Sequence, residues 1–282
     1  NLTYLISTYK KGQFVLRLPK AGPSKLKMLI GRSLYGEYAN SRQAYLLGIG
    51  AKLRYFDLFG GASLFEYIKN EGTLEKNDLK NVDVLTRAVV TLKKLHSSKV
   101  AFNCNANMFR TLNTLAIFFN SERAGEISQD LEVVIKIVRK IKRIFDRLDI
   151  TLAPCHGDPN PNNFLKTAKG MYLIDWEYSG NNDPAWDLAF LSVGGEFDRE
   201  QDLLMMKIYG NQKDKTLFER IAVYKALVQL WRFFWARFQI KYIDNQAEKE
   251  RFLDMSLRRY NDYKKILSSD EFKRALDALK QI

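Results

Sequence analysis

Residues 155–189 read CHGDPNPNNFLKTAKGMYLIDWEYSGNNDPAWDLA, and this stretch decides the fold. Asp158 and Asn163 stand five residues apart on a polar loop. Asp175 closes an apolar run, Met171-Tyr172-Leu173-Ile174, twelve residues after Asn163. Turn chemistry accounts for Pro159, Asn160, Pro161 and Asn162. It does not account for the offset between the two side chains, nor for a strand that ends in Asp. Short strands are expected over 163–165 and 171–175, set among loops dense in Asn, Asp, Pro and Gly, where chemistry usually resides.

Working outward, the flanks differ in kind. Residues 2–18 read as a hairpin: Leu2, Tyr4 and Ile6 alternate with Thr3, Leu5 and Ser7, Lys10-Lys11-Gly12 turns, and Gln13-Phe14-Val15-Leu16-Arg17-Leu18 returns as a strand stopped by Pro19. A helix over 35–47 ends at Gly48-Ile49-Gly50, and strands follow at 52–56 and 63–67. The remainder is helical, at 79–96, 111–119, 131–148, 217–242 and 247–267. In the third of these, Leu131, Val134, Ile135, Val138, Ile141, Phe145 and Leu148 recur every three or four residues as one buried stripe.

Phosphoryl transfer needs oxygen ligands for a divalent cation and a carboxylate that orients and deprotonates a hydroxyl. Protein kinases supply these with an Asp and an Asn in one loop, H-R-D-x-x-x-x-N, and a strand-end Asp in D-F-G. His156-Gly157-Asp158-x-x-x-x-Asn163 and Asp175-Trp176-Glu177 repeat the residue types, their order and their spacing.

The segment resembles the choline/ethanolamine kinase family, of the bacterial choline kinase type, within the aminoglycoside phosphotransferase and protein-kinase-like superfamily. The likeness is strong over 153–191, moderate over 1–70 and weak in the helical remainder. It implies an α+β, two-lobed protein-kinase-like fold, with a nucleotide-binding lobe at 1–69 and a catalytic, substrate-binding lobe at 70–282. By the same resemblance Asp158 is the catalytic base, Asn163 and Asp175 hold Mg²⁺, and Glu177 reaches a second metal. His156 braces the catalytic loop and Asp187 ties it down. Cys155 reads as a small core residue.

For ATP, the strand offers Arg17, which resembles the cation of choline and ethanolamine kinases where many aminoglycoside phosphotransferases carry Lys. Glu37, mid-helix, is its expected partner. Glu66, Tyr67 and Ile68 resemble the inter-lobe hinge that meets adenine. Asn1-Leu2-Thr3 is similar to the tail of the family's phosphate-cradling glycine loop, so that loop is expected before residue 1.

A quaternary ammonium is held by aromatic faces, each cation–π contact contributing roughly 0.5–2 kcal/mol. Trp231 and Trp235, four apart on one helix, and Tyr178, just past the metal-binding Asp, are the candidates. Glu196 is a further anionic one. Choline is the first acceptor expected. Ethanolamine, thiamine, an aminoglycoside or a non-catalytic kinase-like binding protein are the alternatives, and the absence of a dense acidic run disfavours the aminoglycoside.

Composition narrows the field further. The 282 residues carry 45 Lys and Arg against 32 Asp and Glu, a net charge of +13, with 46% hydrophobic residues, too apolar for a disordered chain. Two cysteines and two histidines leave little for a disulfide framework, a His-rich zinc site or a spare-histidine triad. The basic residues scatter over several helices without a nucleic-acid-binding module, so no nucleic-acid partner is expected. No run approaches the ~20 apolar residues of a membrane span. Neither a signal nor a transit segment opens the chain, so a cytoplasmic location is expected. Nothing in the sequence specifies an oligomeric state.

Overall fold

The alternating residues of the opening segment pair as β1 (Leu2–Thr8) and β2 (Gly12–Leu18), in register from Leu2 opposite Leu18 to Thr8 opposite Gly12. With β3 (Leu53–Phe56) and β4 (Ser63–Glu66) they form a four-stranded antiparallel sheet in the order β1-β2-β4-β3. The computed structural model describes residues 2–121, 128–168, 170–210 and 214–282. Asn1, expected at the tail of the glycine loop, lies outside them.

Between β2 and β3 stand α1 (Ala21–Leu29) and α2 (Leu34–Leu46). The Ser33 side chain caps α2 by accepting from the Gly36 N–H, so Glu37 falls in the first turn rather than mid-helix. The helix expected at 79–96 is divided. A 3₁₀ turn covers Lys76–Lys80, and α3 (Val82–His96) starts where Asn81 accepts from the Asp83 and Val84 N–H groups. After α3 the chain runs through α4 (Met108–Ser121) and α5 (Ser128–Phe145) into the informative block. That block holds β5 (Ala153–Cys155), β6 (Phe164–Thr167), β7 (Gly170–Leu173), β8 (Gly180–Asn182), α6 (Pro184–Gly195) and α7 (Arg199–Tyr209). The strand expected to reach Asp175 stops at Leu173, because Asp175 adopts φ 69° and ψ 65°, a left-handed conformation incompatible with extended pairing. The helices α8 (Leu217–Ile240), α9 (Gln246–Ser268) and α10 (Asp270–Lys280) complete an α+β architecture.

The contacts group the chain into two units, Asn1–Ala106 with Leu152–Asn211, and Asn107–Thr151 with Gln212–Ile282. This partition differs from a break at residue 69, since the catalytic block rejoins the amino-terminal sheet's unit. Backbone pairing explains the return: the Leu173 N–H donates to Ile49 O at 2.7 Å, and Leu74 and Phe164 pair at 2.9 Å. The second unit is helical. Leu131, Val134, Val138, Ile141 and Phe145 are buried in its core along α5, Leu148 just beyond the helix is buried too, and Ile135 of the expected stripe is half-buried; Phe119 stacks on Phe234 with ring centres 5.6 Å apart.

Candidate active site

The loop after β5 carries Asp158, and a buried carboxylate fixes its backbone. Asp187, on α6 and fully buried, accepts from the His156 N–H at 2.7 Å, the Gly157 N–H at 2.9 Å and the His96 Nε2–H at 3.0 Å. Tyr209 OH donates to His96 Nδ1 at 3.0 Å, which sets the His96 tautomer. His96, Cys155 and Asp187 cluster closely enough to suggest a metal. Their ligand atoms are engaged in hydrogen bonds instead, and burial pushes the Cys155 thiol well above its ordinary pKa, so the cluster is a brace. Gly157 has φ +83°, and a Cβ there would stand 2.3 Å from the Tyr178 carbonyl oxygen, so only glycine fits.

His156 ties this loop to the strand end. Its Nε2–H donates to Ile174 O at 2.9 Å, and its ring packs against Trp176 at 4.7 Å between centres. Burial holds its pKa below the ordinary value, although Asp187 pulls the other way. The imidazole is therefore a neutral brace rather than a base.

The same framework ties the loop of Asp158 and Asn163 to the strand end that precedes Asp175. Asn163 donates its amide to Asp158 O at 2.8 Å, and the Ile174 N–H donates to Asn163 O at 3.0 Å, so the loop is joined to the residue before Asp175. With its nitrogen used, Asn163 keeps its amide oxygen for a cation. Asn160 donates to Asp158 Oδ1 at 2.6 Å.

Asp175 and Glu177 meet the amino-terminal sheet's strand cation. Arg17 Nη2 lies 2.6 Å from Asp175 Oδ1 and 3.2 Å from Glu177 Oε2, while its Nη1 lies 3.1 Å from Glu37 Oε1. Burial works to lower the Arg17 pKa, but the three carboxylates more than offset it and raise the value. A second cation, Lys27 on α1, sits 2.8 Å from Glu37 Oε2 and 3.5 Å from Glu177 Oε2. Sequence reading missed Lys27, because a lysine between Leu26 and Met28 carries no motif; it also missed Asn160, hidden among turn formers. The donor set Asn163, Asp175 and Glu177 is all oxygen, and three carboxylates stand against two cations. Both features fit a hard divalent ion such as Mg²⁺.

A cleft of about 230 Å³ opens on this cluster. Val15, Ala51, Phe65, Leu165, Leu173 and Ile174 give it apolar walls, Glu66, Tyr67 and Ile68 form one rim, and Arg17, Glu37 and Asp175 form its polar end. An aromatic base with a polyanionic tail matches that gradient.

The family model described as the phosphotransferase enzyme family matches residues 1–224. The chain belongs to that family. It is a kinase-class enzyme, and this phosphotransferase resembles proteins across most of its length. Protein LicA of Haemophilus influenzae is 28% identical over 266 residues, covering 90% of this chain and 74% of LicA. A choline/ethanolamine kinase family protein from Mesorhizobium loti superposes with a TM-score of 0.78 at 27% identity, covering 95% of this chain and 87% of the other. Choline kinase LicA from Streptococcus pneumoniae, 24% identical, superposes with a TM-score of 0.73 over 94% of this chain and 89% of its own, and shares the fold. The fold is the protein-kinase-like one.

The acceptor candidates are placed separately. Tyr178 is buried beside the metal-ligand candidates in sequence, and its carbonyl crowds Gly157. Glu196 ends α6, and its exposed carboxylate pairs with Lys76 at 2.8 Å. On α8, Trp231 is packed in its unit's core, whereas Trp235 is half-buried and lies against Phe252 at 5.8 Å between ring centres. Among the described residues, no helix is long and apolar enough to cross a membrane.

Proposed function

We propose that this phosphotransferase is a choline kinase, moving the γ-phosphoryl group of ATP to the choline hydroxyl with Mg²⁺. The observation that carries the reading is an apolar cleft whose lining includes Arg17, Glu37 and Asp175, with the loop of Asp158 and Asn163 hydrogen-bonded to the strand end just before Asp175. The similarity to LicA and to choline/ethanolamine kinase structures supports the acceptor class.

In this mechanism the cleft walls take the adenine, and Glu66, Tyr67 and Ile68 border it. Arg17, set in place by Glu37 before the nucleotide arrives, turns to meet the phosphates. Asn163, Asp175 and Glu177 would hold Mg²⁺, which screens phosphate charge and polarises the transferred group. Asp158, its loop fixed by Asp187 and its carboxylate oriented by Asn160, takes the proton from the acceptor hydroxyl as it attacks. Holding the groups in line does most of the work, because the transition state asks for little covalent help.

The acceptor's ammonium calls for aromatic faces. Tyr178, Trp231 and Trp235 are the candidates for that task, and Trp235 is the most accessible of the three. The exposed Glu196, already paired with Lys76, offers only a weak screened attraction. A cytoplasmic location follows as part of the proposal, because ATP is the phosphoryl donor.

The test is ADP release with ATP and Mg²⁺ against choline, ethanolamine, thiamine and kanamycin. Choline should give the highest kcat/KM. A higher value for any of the other three would replace it as the acceptor.

A further inference from the structure

We propose that Lys27 is a positioning residue for nucleotide binding: it keeps Glu37 and Glu177 neutralised and in place when Arg17 turns from the carboxylates to the phosphates. The inference deepens the reading of this cleft as an ATP site and rests on it.

The argument begins with how the charges are shared. Three carboxylates, Glu37, Asp175 and Glu177, surround two cations. Arg17 touches all three, whereas Lys27 touches Glu37 and Glu177 but not Asp175. Burial follows the same division. The side chains of Glu37 and Glu177 are 5% and 7% exposed, against 32% for Asp175. A buried carboxylate left without its partner is strongly destabilising, and a more exposed one is not. If Arg17 alone served Glu37, engaging a phosphate would leave that buried carboxylate without a cation.

Lys27 removes that conflict. Its side chain is 6% exposed, and its ammonium lies within 3.5 Å of one oxygen of each buried carboxylate. Arg17 can then turn to the phosphates and leave without a nearby cation only Asp175, the carboxylate already open to a metal ion. The three-to-two ratio becomes a division of labour: Lys27 serves the buried pair, and Arg17 serves the exchangeable partner. Lys27 touches no substrate in this account; it acts through Glu37, Glu177 and Arg17.

The experiment measures binding of a non-hydrolysable ATP analogue by calorimetry, with excess Mg²⁺ and no acceptor, for wild type, Lys27→Met, Lys27→Arg, Glu37→Gln and the double variant Lys27→Met/Glu37→Gln. Thermal melts and steady-state kinetics accompany it. Lys27→Met should lose at least about tenfold in affinity, with KM for ATP rising in step and KM for choline unchanged. Lys27→Arg should stay within about threefold of wild type. The double variant again has one more carboxylate than cations, so it should bind better than Lys27→Met, a coupling that a mere packing role does not produce.

If Lys27→Met fails to fold, recovery of a cooperative melt and of analogue binding in the double variant supports the proposal. A double variant no better than the single one overturns it. Wild-type affinity in Lys27→Met also overturns it and leaves the ATP reading intact. Absence of analogue binding by the wild type overturns both.

Discussion

Replacing Asp187 by Asn tests whether the catalytic loop is held by a buried charge. The carboxylate accepts three hydrogen bonds, two from the backbone at His156 and Gly157 and one from His96. An asparagine offers one oxygen where the carboxylate offered two. If its amide nitrogen takes the Oδ1 place, it meets the Gly157 N–H donor head-on. If it takes the Oδ2 place, His96 can switch tautomer to accept from it, but the His156 N–H then faces a donor. Either way one backbone donor is stranded.

Losing a charge-assisted bond costs about 1.5–3 kcal/mol, and a stranded buried donor adds about 1–3 kcal/mol. Relief from burying a carboxylate offsets part of this, which leaves about 2–4 kcal/mol. At roughly 2.1 cal/mol/K per residue, a chain of 282 residues has an unfolding entropy of about 0.6 kcal/mol/K. The Tm should therefore fall by roughly 3–7 °C. Because Asp187 lies behind the loop and does not line the cleft, ATP affinity should hold. The kcat should drop by about 100-fold, the usual effect of an ångström's misplacement. Calorimetric melts, ATP titration and steady-state kinetics on one preparation read all three quantities. A Tm within a degree of wild type together with unchanged kcat would refute the brace.

Asp158→Ala should lower kcat by roughly 10²–10⁴ while the ATP Kd moves little; a kcat near wild type removes Asp158 as the base. Asp175→Ala should weaken Mg²⁺-dependent nucleotide binding as well as turnover, and an unchanged Kd in Mg²⁺ contradicts its metal role. Burial depresses the His156 pKa, so as pH falls below about 6.5 the unfolded chain takes up a proton that the folded one refuses. Stability should therefore fall with pH, by up to about 1.4 kcal/mol per unit, until the depressed folded value is reached. Denaturant melts of wild type and His156→Gln between pH 7 and 5 check this, and equal slopes exclude His156 as the source. Trp235→Ala should raise KM for choline several-fold more than KM for ATP; equal changes assign Trp235 to packing against Phe252.

The spacing of Asp158, Asn163 and Asp175 was legible in the sequence because each chemistry-bearing residue sits at a fixed offset on a loop or strand end. Arg17 and Glu37 were legible for a related reason, as a strand cation and the helix acid that follows it. Lys27 was not, since α1 is a short helix whose lysine is distinguished only by what it meets in three dimensions. The strand boundary at Leu173 was also hidden. The apolar run continues to Ile174, and only the left-handed turn at Asp175 stops the pairing. The expected lobe boundary at residue 69 rests on the change from strand to helical patterning, and the pairing of β7 beside Gly50 is a separate, long-range feature that patterning does not record.

The catalytic loop gains little from regular structure. Its supporting strands, β5 and β8, are three residues each and form a two-stranded sheet extended only by a bridge from Asn105 to Asn181, which is marginal by itself. What holds Asp158 is polar instead: Asp187 on two backbone N–H groups, His156 on Ile174, and Asn163 on Asp158 O. The Trp186 indole completes the set by donating to Gly157 O at 3.0 Å. Such a network fixes direction more sharply than apolar packing does, but it fails in larger steps, because each lost partner leaves a buried group unpaired. Conservative changes at Asp187 or Asn163 should therefore reduce stability and kcat together. Apolar trimming of the cleft at Val15 or Leu165 acts on a different quantity, the affinity for ATP, and should leave the loop's geometry, and hence kcat at saturating ATP, in place.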